Sequence, residues 1–209
     1  MTNLFNKDTG TATSFDSNKI TDATKSWKIN QFKNWFISIN GSDYQIVSNS
    51  TNEIVFANQL TIGSNLNYTI SFVNRARLTE IESDSSDTLK IPDDLINKKY
   101  NQANNDISTK VFASLKSFIK VDFDPFTNIA NLYSLQQVFS YFLLAKIFQD
   151  LSINQDSFEA FKGYNMYEKS YNDSVKDAIS MLQIDFDQSG NISVDEQNHA
   201  SSSLSFFTR

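Results

Sequence analysis

Apolar and polar positions follow two rhythms along this chain. From Trp35 to Val73 the period is two. The stretches "WFISI" (35–39), "YQIVS" (44–48), "EIVFA" (53–57) and "NYTISFV" (67–73) are rich in β-branched and aromatic residues. The polar runs "NGSD", "SNSTN" and "IGSN" part them as turns. Short strands at this spacing predict a small antiparallel β-barrel or sandwich. Just upstream, "DATKSW" (22–27) predicts a helical turn that packs Trp27 and Trp35 against the sheet as core residues. Arg75 and Arg77 are expected on one side of a strand, as a solvated sheet face or a contact for DNA or an acidic partner.

Beyond the polar run "ESDSSDT" (82–88) the period becomes helical. Pro92 followed by "DDLINKK" fits a helix start, with proline in the first turn and acids near the positive end. Ala103, Ile107, Val111 and Leu115 then mark one face. "DFDPF" (122–126) breaks this helix, because the residue before Pro125 avoids helical geometry. A second helix is expected over about 127–151, where Ile129, Leu132, Tyr133, Val138, Phe139, Phe142, Leu143 and Ile147 cover more than one face and predict the central helix. "SINQD" (152–156) reads as a loop. A third helix follows over about 157–183, with Tyr164, Tyr167, Tyr171, Val175, Ala178 and Leu182 on one side. The expected fold is α+β: a β-rich module over 1–82, a linker over 83–88, a three-helix domain over 89–184, and an acidic loop with an extended C-terminal arm over 185–209.

Composition narrows the function. The 209 residues include 18 Phe and 8 Tyr, a supply of aromatic area suited to a dense core or to subunit contacts. A net charge of −6 argues against a protein that coats nucleic acid, although an acidic surface suits a channel through which DNA slides. Cysteine is absent, which excludes disulfides, thiolate metal sites and a cysteine nucleophile. The single histidine, His199, sits in a Ser-rich tail and does not supply a catalytic triad or a two-histidine zinc site. The two acids of "DFDPF" fit a helix-breaking turn better than a hydrolase pair. "MTNLFNKDTGT" has no apolar core or basic start, unlike a secretory leader. "VFSYFLLAKIF" (138–148) is too short to cross a bilayer and predicts a buried helix. A non-enzymatic role without a required cofactor is therefore expected.

The helical half resembles the head–tail adaptor (connector) proteins of tailed bacteriophages. The resemblance is carried by "LINKKYNQANNDISTKVFASL", "VDFDPFTNIANLYSLQQVFSYFLLAKIF", "YEKSYNDSVKDAISMLQI" and "SSSLSFFTR". It covers about half the chain and is a pattern of helices and apolar positions. The first half, with "TDATKSW" before "YQIVSNS", is similar to small β-modules of phage virion proteins. The resemblance implies a virion protein, made in the host cytoplasm, at the neck between capsid and tail. About twelve copies would form a ring by heterologous contacts. That ring would bind the portal protein and the tail or next neck protein, and let DNA pass without sequence-specific binding or membrane contact. Leu204, Phe206 and Phe207 of the arm have the alternation to bind a partner by strand addition.

"DFDQSGNISVDE" (185–196) matches a calcium loop in full. Asp185, Asp187 and Ser189 fall at the first three ligand positions, Gly190 at the sharp turn, Asn191 at the carbonyl position, Ser193 at the direct or water-mediated one and Glu196 at the bidentate one. The following "QNHASSSLSFF" has poor helix propensity, and no second loop is present to pair with. Two readings stand. One is a structural Ca²⁺ that pins the arm. The other is an acidic turn in which Asp and Ser bond their own backbone and Gly190 supplies positive φ. The rival overall function is a calcium-dependent binding module of a tail fibre or surface attachment protein.

Overall fold

The structure is a computed structural model that describes residues 3–59, 66–82, 91–115, 124–155, 157–185 and 193. The chain is α+β and divides into two compact units. One is Phe5–Ala76; the other is made of the residues from Arg77 onward together with those before Phe5.

The first unit is a single seven-stranded antiparallel sheet. Its strands are β1 (Asp8–Thr11), β2 (Ser14–Asp16), β3 (Lys19–Thr21), β4 (Phe36–Ile39), β5 (Ser42–Asn49), β6 (Glu53–Phe56) and β7 (Asn67–Ser71), in the order β1-β7-β4-β5-β6-β3-β2. The β4–β5 hairpin turns on Asn40 and Gly41, whose φ values of 52° and 78° give the left-handed pair that a tight two-residue hairpin needs. Period-two patterning sends Ile37 and Ile39 of β4, Tyr44 and Ile46 of β5, Ile54 and Phe56 of β6, and Tyr68 and Ile70 of β7 into the core. A bulge between Ile46 and Ser48 bends β5 and resets its register, so that Asn49 turns inward.

The sheet is rolled without being closed. β1 and β2 are its two edges, and no ladder joins them among the described residues. Yet only Ala12 and Thr13 separate them in sequence. In a flat sheet six inter-strand steps would hold the edges about 29 Å apart, whereas the chain from Thr11 to Ser14 spans at most about 11 Å. Of the expected small antiparallel barrel or sandwich the structure has the antiparallel sheet, as a barrel-like curl without the closing ladder among the described residues. Its interior holds Trp35 against Phe32 at 5.2 Å and Phe72 at 5.1 Å, and Trp27 edge-on to Phe32 and Tyr68. Both tryptophans are core residues, as their surroundings in sequence suggest. Asn49 pins the loop beneath them: its Oδ1 accepts from the Phe32 N–H, and its Nδ2 donates to the Lys28 and Ser50 carbonyls.

The second unit contains α1 (Arg75–Ile81, whose first two residues belong to the sheet unit), α2 (Asp93–Leu115), the single turn α3 (Pro125–Asn128), a 3-10 turn (Leu132–Leu135), α4 (Gln136–Gln155) and α5 (Phe158–Ser180). Arg75 and Arg77 thus lie on a helix, which corrects their placement on a strand. Asp93 and Asp94 occupy the first turn of α2, and Tyr100, Ala103, Ile107, Val111 and Leu115 form its buried stripe. The expected continuous helix over 127–151 is broken at 129–131. Asp124 caps α3 by accepting from the Phe126 N–H, Pro125 fills its first turn, and the chain is extended at Ile129 before it rewinds.

Helix α4 is the centre of this unit, and Val138, Phe139, Leu143, Leu144, Ile147 and Phe148 are all buried. Tyr100 of α2 packs on Phe139, while Tyr171 and Tyr167 of α5 pack on Phe142 and Phe148. Lys99 on α2 meets Asp150 on α4 at 2.7 Å, so the one buried cation of α2 is compensated. Gly163 lets α5 approach α4, because a Cβ there would lie 2.8 Å from Cδ1 of Phe148. Alanine in place of a helical glycine ordinarily stabilises by about 0.5–1 kcal/mol. Here Gly163→Ala is expected to lower the denaturant midpoint instead, and Leu143→Ala to cost about 2–5 kcal/mol. Urea unfolding followed by circular dichroism checks both.

Candidate functional site

Two features of the helical unit bear on function: the junction that leads into residues 185–196, and the tip of the α4–α5 hairpin. At the junction, α5 stops at Ser180 and its C-cap is Met181. Ile184 then forms an antiparallel bridge with Ile129. The Asp185 N–H donates to the Asn128 carbonyl at 2.8 Å, and Asn128 Nδ2 returns a bond to the Asp185 carbonyl at 2.7 Å. Two more contacts flank the bridge: the Ala130 N–H donates to Gln183 O, and Asn131 accepts from the Gln183 N–H while donating to Met181 O.

These contacts bear on the calcium reading. A helix–loop–helix calcium site takes its first ligand where the entering helix runs into the loop. Here four residues, 181–184, lie between the last residue of α5 and Asp185: Met181 closes the helix and Ile184 is held by the bridge. Asp185 itself is buried and its backbone is committed to Asn128. Ser193 is exposed. Asp187, Ser189, Asn191 and Glu196 lie outside the described residues, as do Leu204, Phe206 and Phe207. Among the described residues no three acids or histidines gather as a metal site. The start of the stretch fits a braced turn better than the first ligand of a helix–loop–helix.

At the opposite end of α5 is a feature that composition obscures. "SINQ" reads as loop, but α4 continues through Gln155, and α5 begins at Phe158 with Ser157 as its N-cap, accepting from the Ala160 N–H. This short connection places Ile153 and Phe158 side by side at the tip, and they are 73% and 69% exposed. With Phe161, Tyr164, Gln149 and Ser152 they line a shallow groove of about 460 Å³. Lys162 Nζ lies 4.5 Å above the Phe158 ring at the rim. The Tyr164 hydroxyl donates to Glu168 at 2.6 Å, and that bond, with some burial, pushes its pKa up and keeps it protonated. The signal was present in sequence as apolar residues at 153, 158 and 161 that fall off the buried stripe of Tyr167, Tyr171, Val175 and Ile179.

The chain matches no family model, no curated protein and no solved structure.

The sheet unit buries one further group with chemical potential, Asp22, which is 1% exposed. Its carboxylate accepts from the Thr24 N–H at 2.9 Å, from Thr24 Oγ1 at 2.6 Å and from the Tyr68 hydroxyl at 2.7 Å. Beside it, Asp8 accepts from Lys25 Nζ and from Trp27 Nε1. Burial pushes the Asp22 pKa up, but the bonds from Thr24 and Tyr68, with Lys25 nearby, outweigh it and hold the group below the ordinary carboxylate range. Tyr68 is driven the other way, by burial first and then by its bond to Asp22. Gly10 of β1 makes room for the pair, since a Cβ there would lie 2.6 Å from Asp22 Oδ2. Both oxygens of Asp22 are bonded from within the fold, which makes it a brace of the "DATKSW" turn.

A depressed carboxylate pKa gives stability that is full above the unfolded value of 3.8 and is lost as pH falls through the lower folded value. Asp22→Asn is therefore expected to destabilise the sheet unit by about 1–3 kcal/mol at pH 7, and the gap to the parent should narrow below pH 3.8. Both tryptophans lie in this unit, so tryptophan fluorescence during urea unfolding at pH 7 and pH 3 reads it alone.

Proposed function

We propose that this chain is a structural, non-enzymatic virion protein: a head–tail adaptor that joins the portal to the tail of a bacteriophage and extends the DNA channel. The observation that carries the reading is the order and burial of the long helices. A helix with one apolar face (α2), a proline-led break, a helix whose middle is mostly buried (α4) and a Tyr-rich helix (α5) follow in the order that the resemblance to adaptors implies. The ionisable groups inside the fold support a structural role, because they are tied to one another. Lys99 with Asp150, Lys25 with Asp8, and Lys110 and Tyr171 with Asp106 brace elements together. The net charge of −6 suits a channel wall from which DNA slides free.

In this reading the stretch 185–196 sets the direction of the arm. A Ca²⁺ bound there would be structural, held by Asp187, Ser189, Asn191, Ser193 and Glu196 with Asp185.

Light scattering and negative-stain imaging of the purified chain, alone and with its portal, test the assignment. Rings of about twelve copies are expected. A monomer that ignores the portal, and whose only partner binding is abolished by chelator, would overturn it in favour of the attachment-module alternative. For the metal, a melting temperature that rises in millimolar calcium and returns with chelator is expected of a bound ion. An unchanged melting curve, the same in Asp187→Ala, would leave the stretch as a turn.

A further inference from the structure

The curled sheet has to be held where its ladder is missing, and the residues that hold it there are polar. On edge strand β1, Asp8 and Gly10 stand opposite Ile70 and Tyr68, whose side chains are buried, so they share the inner face. Neither brings an apolar side chain to it. Residues 21–27 return past this edge in the opposite direction. The Thr13 N–H donates to Thr21 O at 2.7 Å. Further along, Lys25 Nζ donates to Asp8 Oδ1 at 2.6 Å and to Thr9 O at 2.7 Å, and Trp27 Nε1 donates to Asp8 Oδ2. Between them Gly10 forms a window. The Tyr68 phenol of β7 passes it to reach Asp22, and a Cβ at Gly10 would lie 2.4 Å from that hydroxyl. Apart from Thr13 with Thr21, each of these bonds across the seam uses a side chain. Elsewhere around the curl, neighbouring strands share backbone ladders backed by Ile, Phe and Tyr.

We infer that this seam is a hinged opening in the sheet unit: it parts at its Asp8–Lys25 end, with Ala12 and Thr13 as the hinge, while the strand ladders stay paired. Each lip is anchored on its own side. β1 is laddered to β7 over four residue pairs, and the Asp22 and Trp27 N–H groups donate to Asn52 O and Thr51 O. Parting the lips therefore breaks side-chain bonds and leaves both anchors intact, which makes it a local event of lower cost than separating strands. The end that parts is set by solvent and by covalent connection. The Lys25 and Asp8 side chains are 22% and 25% exposed, so water competes for their ion pair. At the other end, Ala12 and Thr13 join β1 to β2 directly. When the seam opens, Asp8 withdraws and the Trp27 indole N–H meets water, while Trp27 keeps its edge-on contact with Phe32. An inward-pointing charge on an edge strand also discourages pairing with another chain, so Asp8 lets the edge open without recruiting a foreign strand.

The chain has two tryptophans, Trp27 at the seam and Trp35 in the interior, and hence two indole N–H reporters. Hydrogen exchange of the ¹⁵N-labelled full-length chain, followed by NMR over a series of sub-denaturing urea concentrations, measures the opening. The Trp27 indole is expected to exchange faster than the Trp35 indole and with little dependence on urea, because the opening exposes little surface. The Ile46 N–H, which donates to Trp35 O in the middle of the sheet, reports strand separation and should depend steeply on urea. Lys25→Met keeps the stem and removes the charge. It should speed Trp27 exchange about tenfold, the loss expected of one charged hydrogen bond, and leave Trp35 and Ile46 as they were. Trp27 exchange that rises with urea in step with Ile46 overturns the proposal. So does a Lys25→Met chain in which the three sites speed up together, or in which none does.

Discussion

Between Val138 and Leu151 helix α4 has no fully exposed residue and only Tyr141, Lys146, Gln149 and Asp150 reach water in part, so most of its circumference must be covered by other parts of the chain. That requirement organises the helical unit. Helix α2 covers one side through Tyr100 and closes it with the Lys99–Asp150 pair, and α5 covers another through Tyr167 and Tyr171. The residues before Phe5 join the same assembly, with Leu4 buried and its N–H donating to Ser108 Oγ on α2. Each large side chain of α4 contributes about 1.5–3 kcal/mol on burial, but only when all its neighbours are in place. A helix of this kind couples the unit's parts more tightly than an amphipathic one, because none of them can leave without wetting it.

The sheet unit meets a different constraint. A curled sheet of short strands gains much of its apolar burial from the side chains that fill the curl, and here aromatic rings fill it. The loops that close over those rings carry backbone polar groups indoors. Asn49 and Asp22 serve them, each bonded by several partners at once, so few polar atoms of the interior go unmatched.

How much of this could be read from residue order depends on how local its cause is. Strands β4 to β7 were legible because alternation and turn residues are local, and so was the buried face of α2. Strands β1 to β3 were not. "DTGT", "SFD" and "KIT" send only Ile20 fully inside; β1 and β3 pair with strands far along the chain, and β2 joins the sheet only through β3. The break at 129–131 was hidden by apolar residues on both sides of it; its cause is Ile184, fifty-five residues away, which draws Ile129 into an extended bridge. The same bridge ends α5 before the acidic stretch, which the match at 185–196 could not reveal. At the hairpin tip, "SINQ" has the composition of a loop, yet it follows a strongly helical run and stays in it. The groove there comes from the meeting of two helix ends, a juxtaposition that no single window of sequence contains.

The Ile129–Ile184 bridge also makes the unit's outlet a mechanical part. Tension applied to the chain beyond Asp185 first meets a cluster of bonds between 181–185 and 128–131, including those of Asn128 with Asp185 and of Asn131 with Gln183 and Met181. Bonds that share a load resist far better than bonds broken one by one, as they are when a helix unravels from its end. The pull would therefore reach α3 and the foot of α4 before it could unwind α5, and the segment beyond Asp185 would act as a tether anchored in the core.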